Sequence, residues 1–267
     1  MSTLSVVITG GTRGIGFGLA KRFLEKGCKV TICGTSTQSV RKAVHELAAF
    51  GESAVGTVAD VGKRSDVESL LDVAVKKFGP VDIWVNNAGI THDTLKVWEL
   101  EQATIEDVLR VNMLGVVNGT VVPFLEMQKQ GQGKIFNMEG LGSDGFMMEG
   151  LSVYGTSKSA LRYFTRAFAN EAGSSPVQVG TLSPGMVVTD LLLETLHGDS
   201  PETRKKRKFY NIMADDVDTV TAFLCEKMVL STASSPRIEW LTKPKVIARM
   251  LLAPFRRREL FNGKSED

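Results

Sequence analysis

Histidine and cysteine are scarce in this sequence, with three of each among 267 residues. Cys28, Cys33 and Cys225 lack the spacing of zinc ligands, and His45, His92 and His197 are scattered, so no metal site is expected. An excess of one charge sign is missing too. Thirty-two Lys and Arg against thirty Asp and Glu leave a formal charge of +2. The basic residues do not interleave with aromatics, so no nucleic-acid partner is expected. The opening MSTLSVVITGG carries no basic n-region, cleavage site or Ser/Arg-rich transit segment, which predicts a cytoplasmic location. No apolar run approaches the roughly 20 residues that span a bilayer, so any membrane contact is expected to be peripheral. One segment, KPKVIARMLLAPFRRR at 243–258, mixes basic and large apolar residues. It reads either as an end helix packed on the core with a solvated basic face or as a contact for a membrane surface or apolar substrate.

What is present is a beat of short β-branched runs and longer amphipathic ones. SVVITG, KVTICG, SAVGTVAD, VDIWVNNAG, GKIFNM and VQVGTLSP alternate with helical patterns near 15–26, 38–50, 65–78, 104–130 and 154–172. Strands that are apolar nearly throughout belong to a parallel sheet covered on both faces, and the spacing suits right-handed crossovers. The fold class predicted is α/β, a doubly wound parallel sheet (Rossmann fold) forming a single domain over 1–267. After Pro184 the rhythm breaks. Residues 191–216, polar and at first aperiodic, read as a lid, and about 243–267 as a basic amphipathic tail. RKKRK at 204–208 is most simply a solvated helix face.

TGGTRGIG at 9–16 follows the first strand and opens the first helix. Gly10, Gly14 and Gly16 permit a tight turn and a close backbone approach to a pyrophosphate, with Thr12, Arg13 and Ile15 between them and the helix N-terminus offering unpaired N–H groups. The second strand ends in Cys33-Gly34-Thr35-Ser36, with no carboxylate for a ribose 2′-hydroxyl. Arg13 would attract a 2′-phosphate, and Thr35 and Ser36 are neutral donors, so the cofactor expected is NADP(H).

In YGTSK at 154–158, Tyr154 and Lys158 lie one helical turn apart on one face. An ammonium beside a phenol lowers its pKa from about 10, making Tyr154 a usable acid or base.

With NNAG at 86–89, Asp60-Val61, Asn112 and SPGMVVTD at 183–190, these motifs make the chain resemble the short-chain dehydrogenase/reductases over nearly its whole length. The resemblance implies that Asp60 and Val61 flank the adenine and that residues 86–89, among them Asn86, Ala88 and Gly89, line the central strand. It also implies that Pro184, Gly185, Val187 and Thr189 wrap the nicotinamide end. Lys158 would hold the nicotinamide ribose, Asn112 a water that relays protons to Lys158, and hydride transfer to a carbonyl carbon would accompany protonation of its oxygen by Tyr154. Relatives associate through helices near 104–130 and 154–172, so a homodimer or homotetramer is expected.

The family's usual hydroxyl, about thirteen residues before the tyrosine, is absent, since that count reaches Leu141 beside Gly140. Ser143, in a loop with Gly140, Gly142 and Gly145, is the candidate replacement; a water or a backbone N–H is the other possibility. KIFNMEGLGSDG at 134–145 and the apolar-basic tail resemble the chlorophyll b reductase branch. That resemblance implies NADPH-dependent reduction of the C7-formyl group of chlorophyll b to a hydroxymethyl group. Met138, Phe146, Met147, Met148, Leu151 and Met186 could offer a pliable apolar wall to a flat ring. The alternatives are a reductase of another apolar carbonyl (3-oxoacyl, steroid or quinone) and a catalytically silent NADP-binding protein.

Overall fold

The computed structural model describes residues 3–193, 200–253, 255, 258 and 260. The middle of the expected lid, 194–199, and most of the tail beyond 253 lie outside these residues.

Seven parallel strands form one sheet: β1 (Ser5–Ile8), β2 (Lys29–Gly34), β3 (Ala54–Val58), β4 (Ile83–Asn86), β5 (Gly133–Met138), β6 (Val177–Ser183) and β7 (Arg237–Glu239). Their order is β3-β2-β1-β4-β5-β6-β7. The helices are α1 (Gly14–Glu25), α2 (Thr37–Leu47), α3 (Arg64–Phe78), α4 (Gln102–Leu109), α5 (Gly115–Gln130), α6 (Ser152–Ala172), α7 (Asp190–Leu193), α8 (Pro201–Met213), α9 (Val217–Leu230) and α10 (Lys243–Leu252).

Successive side chains of a strand point to opposite faces, and both faces here are apolar. Val6 and Ile8 join a core with Leu19 and Phe23 of α1 and Leu224 of α9, whereas Val7 packs on the other side with Leu70 of α3 and Met127 of α5. The strand order reverses between β1 and β4. Their crossovers leave in opposite directions, so a crevice opens beyond the carboxyl ends of these two strands.

Two expectations change. The segment Gln102–Gln130 is long and apolar enough to cross a membrane by length and composition, which the reading of apolar runs had missed. Its apolarity has a core explanation: just over half of the apolar window is buried, Val116, Val122, Phe124 and Met127 among it. The lid is also more regular than its composition suggested. Ser200 accepts from the N–H of Thr203 at 3.0 Å and so caps α8, whose RKKRK is largely exposed.

Three buried side chains lock the sheet beneath the crevice. Asn86 Nδ2 donates to Gly119 O and to Asn137 Oδ1, both at 2.8 Å, while its Oδ1 accepts from Trp84 Nε1 at 2.8 Å. Asn86→Ala strands these partners in the dry core. Chemical denaturation should show a loss of about 2–3 kcal/mol; a variant as stable as the parent would refute this role.

Candidate active site

A cavity of about 290 Å³ occupies the crevice. Its floor is the glycine-rich loop. Gly10 has φ +60°, and a Cβ there would lie 2.8 Å from Ala88 Cα; Gly14 has φ +55°. Only glycine fits so close an approach. Thr9 Oγ1 accepts from the N–H groups of Asn87 and Ala88, and Asn87 Nδ2 donates to Thr9 O and Gly10 O, each at 3.0–3.1 Å, which holds the loop against β4. No side chain caps α1 and its first turn has no acid, so its N–H groups are left for an anionic ligand. These features fit a dinucleotide pyrophosphate.

Of the residues read from the sequence, Gly10, Thr12, Arg13, Gly14, Ile15, Thr35, Asp60, Val61, Ala88, Gly89, Tyr154, Lys158, Pro184 and Thr189 line this cavity. Others sit behind it. Gly16 packs helix α1 on Gly10 and Asn87, Ser36 caps α2 by accepting from the N–H of Ser39, and Asn86 does the sheet locking described above. Gly185 takes a turn at φ +71°, and Val187 is buried in a bridge to Asp215. Asp60 is held by Arg110, whose Nη1 reaches both carboxylate oxygens at 2.6–2.7 Å.

Tyr154 and Lys158 face the cavity from α6, the ammonium 5.8 Å from the ring centroid. The expected lowering of the phenol is not found. Burial pushes Tyr154 up to about 12 and Lys158 down to about 8. Desolvation penalises both charged forms, and among the described residues Lys158 Nζ reaches only one acceptor, Met138 O at 3.3 Å. A phenol at about 12 stays protonated at working pH, which is the state that donates to a developing alkoxide.

Gly140 lies against this pair. A Cβ there would come 2.6 Å from Tyr154 Oη, so a side chain at Gly140, next to the position that the count reaches, would displace the phenol. Ser143 closes the turn that positions Gly140: its Oγ accepts from Gly140 N at 3.0 Å, and its own N–H donates to Gly140 O at 3.1 Å. The Ser143 hydroxyl proton remains available, but Ser143 does not line the cavity described.

Asn112 sits in a π-helical turn, Arg110–Leu114, between α4 and α5. Its side chain accepts from Ile90 N at 2.9 Å and donates to Ile90 O and Ser157 Oγ. A Cβ on Gly89 would stand 3.3 Å from both Asn112 Oδ1 and Lys158 Nζ, so the three residues converge on one corner. Such π-turns concentrate at functional sites.

The sequence reading gave two residues no role. Glu139, directly after β5, is buried on the cavity wall and takes N–H bonds from Arg237 of β7 at 2.9–3.3 Å, with Arg162 of α6 at 3.8 Å. His92 is also buried. Its Nδ1 donates to Asp93 O at 2.7 Å, which leaves Nε2 to accept from Tyr154 N at 3.3 Å and cap α6 in place of a side-chain cap at Leu151. Neither role has a local motif. Cys33, Gly34, Ala59, Asn87, Ile90, Val111, Met138 and Asp190 line the cavity as well; burial pushes the Cys33 thiol up to about 11, so it is no nucleophile.

A family model described as short chain dehydrogenase matches residues 5–199. The chain is 33% identical to the probable chlorophyll(ide) b reductase NYC1, chloroplastic, of Oryza sativa subsp. japonica, over 97% of this chain and 54% of that protein. It thus spans about half the length of that relative. It is 36% identical to the chlorophyll(ide) b reductase NOL, chloroplastic, of the same species, over 92% of this chain and 74% of that one. A crystal structure of 3-ketoacyl-(acyl-carrier-protein) reductase from Brucella melitensis complexed with NADH superposes with TM-score 0.74 at 27% identity, over 88% of this chain and 95% of that one.

The buried lysine makes stability depend on pH. The unfolded chain takes up this proton near the ordinary 10.5, the folded chain only near 8, so between those values the unfolded state holds more protons and rising pH favours folding. Lys158→Met should remove that rise between about pH 8 and 10.5 in denaturant titrations and abolish turnover at every pH. An unchanged slope would overturn the assignment of an unusually low Lys158.

Proposed function

The chain belongs to the short chain dehydrogenase family; on that premise we propose that it is an oxidoreductase that reduces a carbonyl to an alcohol, using NADPH to reduce the C7-formyl group of chlorophyll b, or a close chlorophyllide, to a hydroxymethyl group. The observation that carries this reading is the exposed apolar surface on two loops that leave the cavity wall. Loops 90–98 and 139–151 leave the cavity wall at Ile90 and Glu139 and meet where a Cβ on Gly150 would lie 2.6 Å from Thr94 Cγ2. Between them they expose Trp98 at 77%, Phe146 at 56% and Met147 at 90%. Exposed apolar surface on that scale suits a large flat substrate. Of the wall foreseen from the sequence, Met138 lines the cavity, Leu151 is buried, and Met148 and Met186 are half-buried. Identities of 33% and 36% to two chlorophyll(ide) b reductases over most of this chain lend the same substrate class modest support.

A nicotinamide bound in the crevice supplies a hydride to the carbonyl carbon. Tyr154 gives its phenolic proton to the carbonyl oxygen as charge develops there, and Lys158 stabilises the phenolate left behind. Asn112 fixes the corner through which a proton returns to Lys158. For Ser143 to orient the carbonyl with its hydroxyl proton, the turn that it closes with Gly140 has to shift towards the cavity. Arg13 and Thr35 favour the 2′-phosphate, because no carboxylate ends β2. The protein works in the cytoplasm as a homodimer or homotetramer through α4, α5 and α6, where Leu109, Leu114 and Leu125 are exposed, and its C-terminal tail touches membranes.

Purified protein with NADPH and detergent-solubilised chlorophyll b should yield the hydroxymethyl pigment on chromatography. Tyr154→Phe should lower kcat by about 10²–10⁴ with NADPH binding intact, and Ser143→Ala by about 10²–10³. Intact pigment with steady reduction of 3-oxoacyl, steroid or quinone carbonyls would move the assignment to those substrates; binding of NADPH without turnover on any carbonyl would mark a silent protein. Thr35→Asp should invert the cofactor preference towards NADH, read as kcat/KM for each cofactor. An unchanged preference would show that Thr35 does not face the 2′ position.

A further inference from the structure

Helix α10 is amphipathic with its faces reversed. A helix on the surface of a soluble domain turns its apolar side inward and its cations to water. Here Arg249 points in, donating to Met213 O and to Asp215 Oδ2, both at 2.6 Å, and Lys245 lies over the Trp240 ring. Ile247, Met250 and Leu251, at i, i+3 and i+4, are 59%, 52% and 70% exposed, and Phe255 beyond the helix end is 87% exposed. Among the described residues, nothing covers these four beyond what these exposures record.

Between α8 and α10 lies a second cavity of about 440 Å³, lined by Ile212, Lys245, Arg249, Leu252, Ala253 and Arg258. The buried Asp215 takes N–H bonds from Trp240, Arg249 and Arg258 at 2.6–2.7 Å. One carboxylate thus faces three cations, and Lys245 has no carboxylate partner among the described residues. Burial lowers Lys245, so its charge is held where an anion would be welcome. Along 243–258 the sequence has six Lys and Arg and no acid.

We infer that this face docks on an anionic phospholipid bilayer, with Ile247, Met250, Leu251 and Phe255 entering the interface and a lipid phosphate seated in the Lys245–Arg249–Arg258 cavity. The chemistry is that of an interfacial helix: apolar side chains at the acyl boundary and cations at the headgroups. A second copy of this chain is a poorer occupant, since its near-neutral charge offers no complement to Lys243, Lys245, Arg249 and Arg258. The inference does not rest on the pigment assignment, because binding is read without turnover.

The test is co-sedimentation of the whole chain with vesicles of equal parts phosphatidylglycerol and phosphatidylcholine, against vesicles of phosphatidylcholine alone. Binding only to the anionic vesicles is expected. Leu251→Glu and Phe255→Glu should each weaken it roughly tenfold or more, and Lys245→Gln should weaken it as well, while NADPH-linked reduction of a soluble carbonyl stays unchanged. The paired Glu variants guard against one that fails to fold, which thermal unfolding reports. Equal binding to both vesicle types would overturn the headgroup site. Binding of free glycerol phosphate without vesicles would make the cavity a soluble-anion site. Absence of vesicle binding together with an oligomer that Leu251→Glu dissociates in light scattering would assign the face to a second copy.

Discussion

An ammonium held in the interior beside a single carbonyl oxygen governs the chemistry of this molecule. Lys158 has Met138 O and little else. The fold supports it with geometry: Gly140 lets β5 pass close, Gly89 leaves the corner towards Asn112 open, and α6 carries the phenol one turn away. In water such a charge would be worth little to its neighbours. Inside a low-dielectric crevice it acts strongly on any negative charge that appears on the phenol or the substrate oxygen. The same desolvation that weakens the fold is what makes the site reactive.

Glu139 shows how the rest of the scaffold is tied to that crevice. It leaves strand β5 at the cavity wall, yet its carboxylate is spent on Arg237 at the sheet's edge and Arg162 on the catalytic helix. Three elements that carry the site, β5, α6 and β7, therefore share one buried anion. Glu139 is thus a structural clamp, and it leaves Tyr154, Lys158 and Asn112 in place as the proposed catalytic residues.

Much of this was legible in the residues, for reasons that differ by element. The glycine loop is readable because positive φ and close approach leave glycine no rival at Gly10 and Gly14. Tyr154 and Lys158 are readable because helical period places them together. Asn86 was assigned to the site because it belongs to a motif, whereas its amide is consumed by Gly119 and Asn137 on elements far along the chain. The partner of Glu139 is 98 residues away on a three-residue strand too short to leave a periodic signal. The cap that His92 gives α6 crosses 62 residues of sequence. The direction of the phenol's shift depended on desolvation, which no spacing reveals.

Gly140 also constrains how such a sequence can change over generations. Any side chain there meets the phenol oxygen before it meets solvent, and Ser143 is committed to closing the turn that brings Gly140 to that spot. A lineage drifting towards a hydroxyl directly after β5 cannot arrive by single replacements, because the turn has to be lengthened or cut first and the arginines of Glu139 released with it. The loop therefore behaves as one unit, in which Gly140, Ser143 and Glu139 constrain one another.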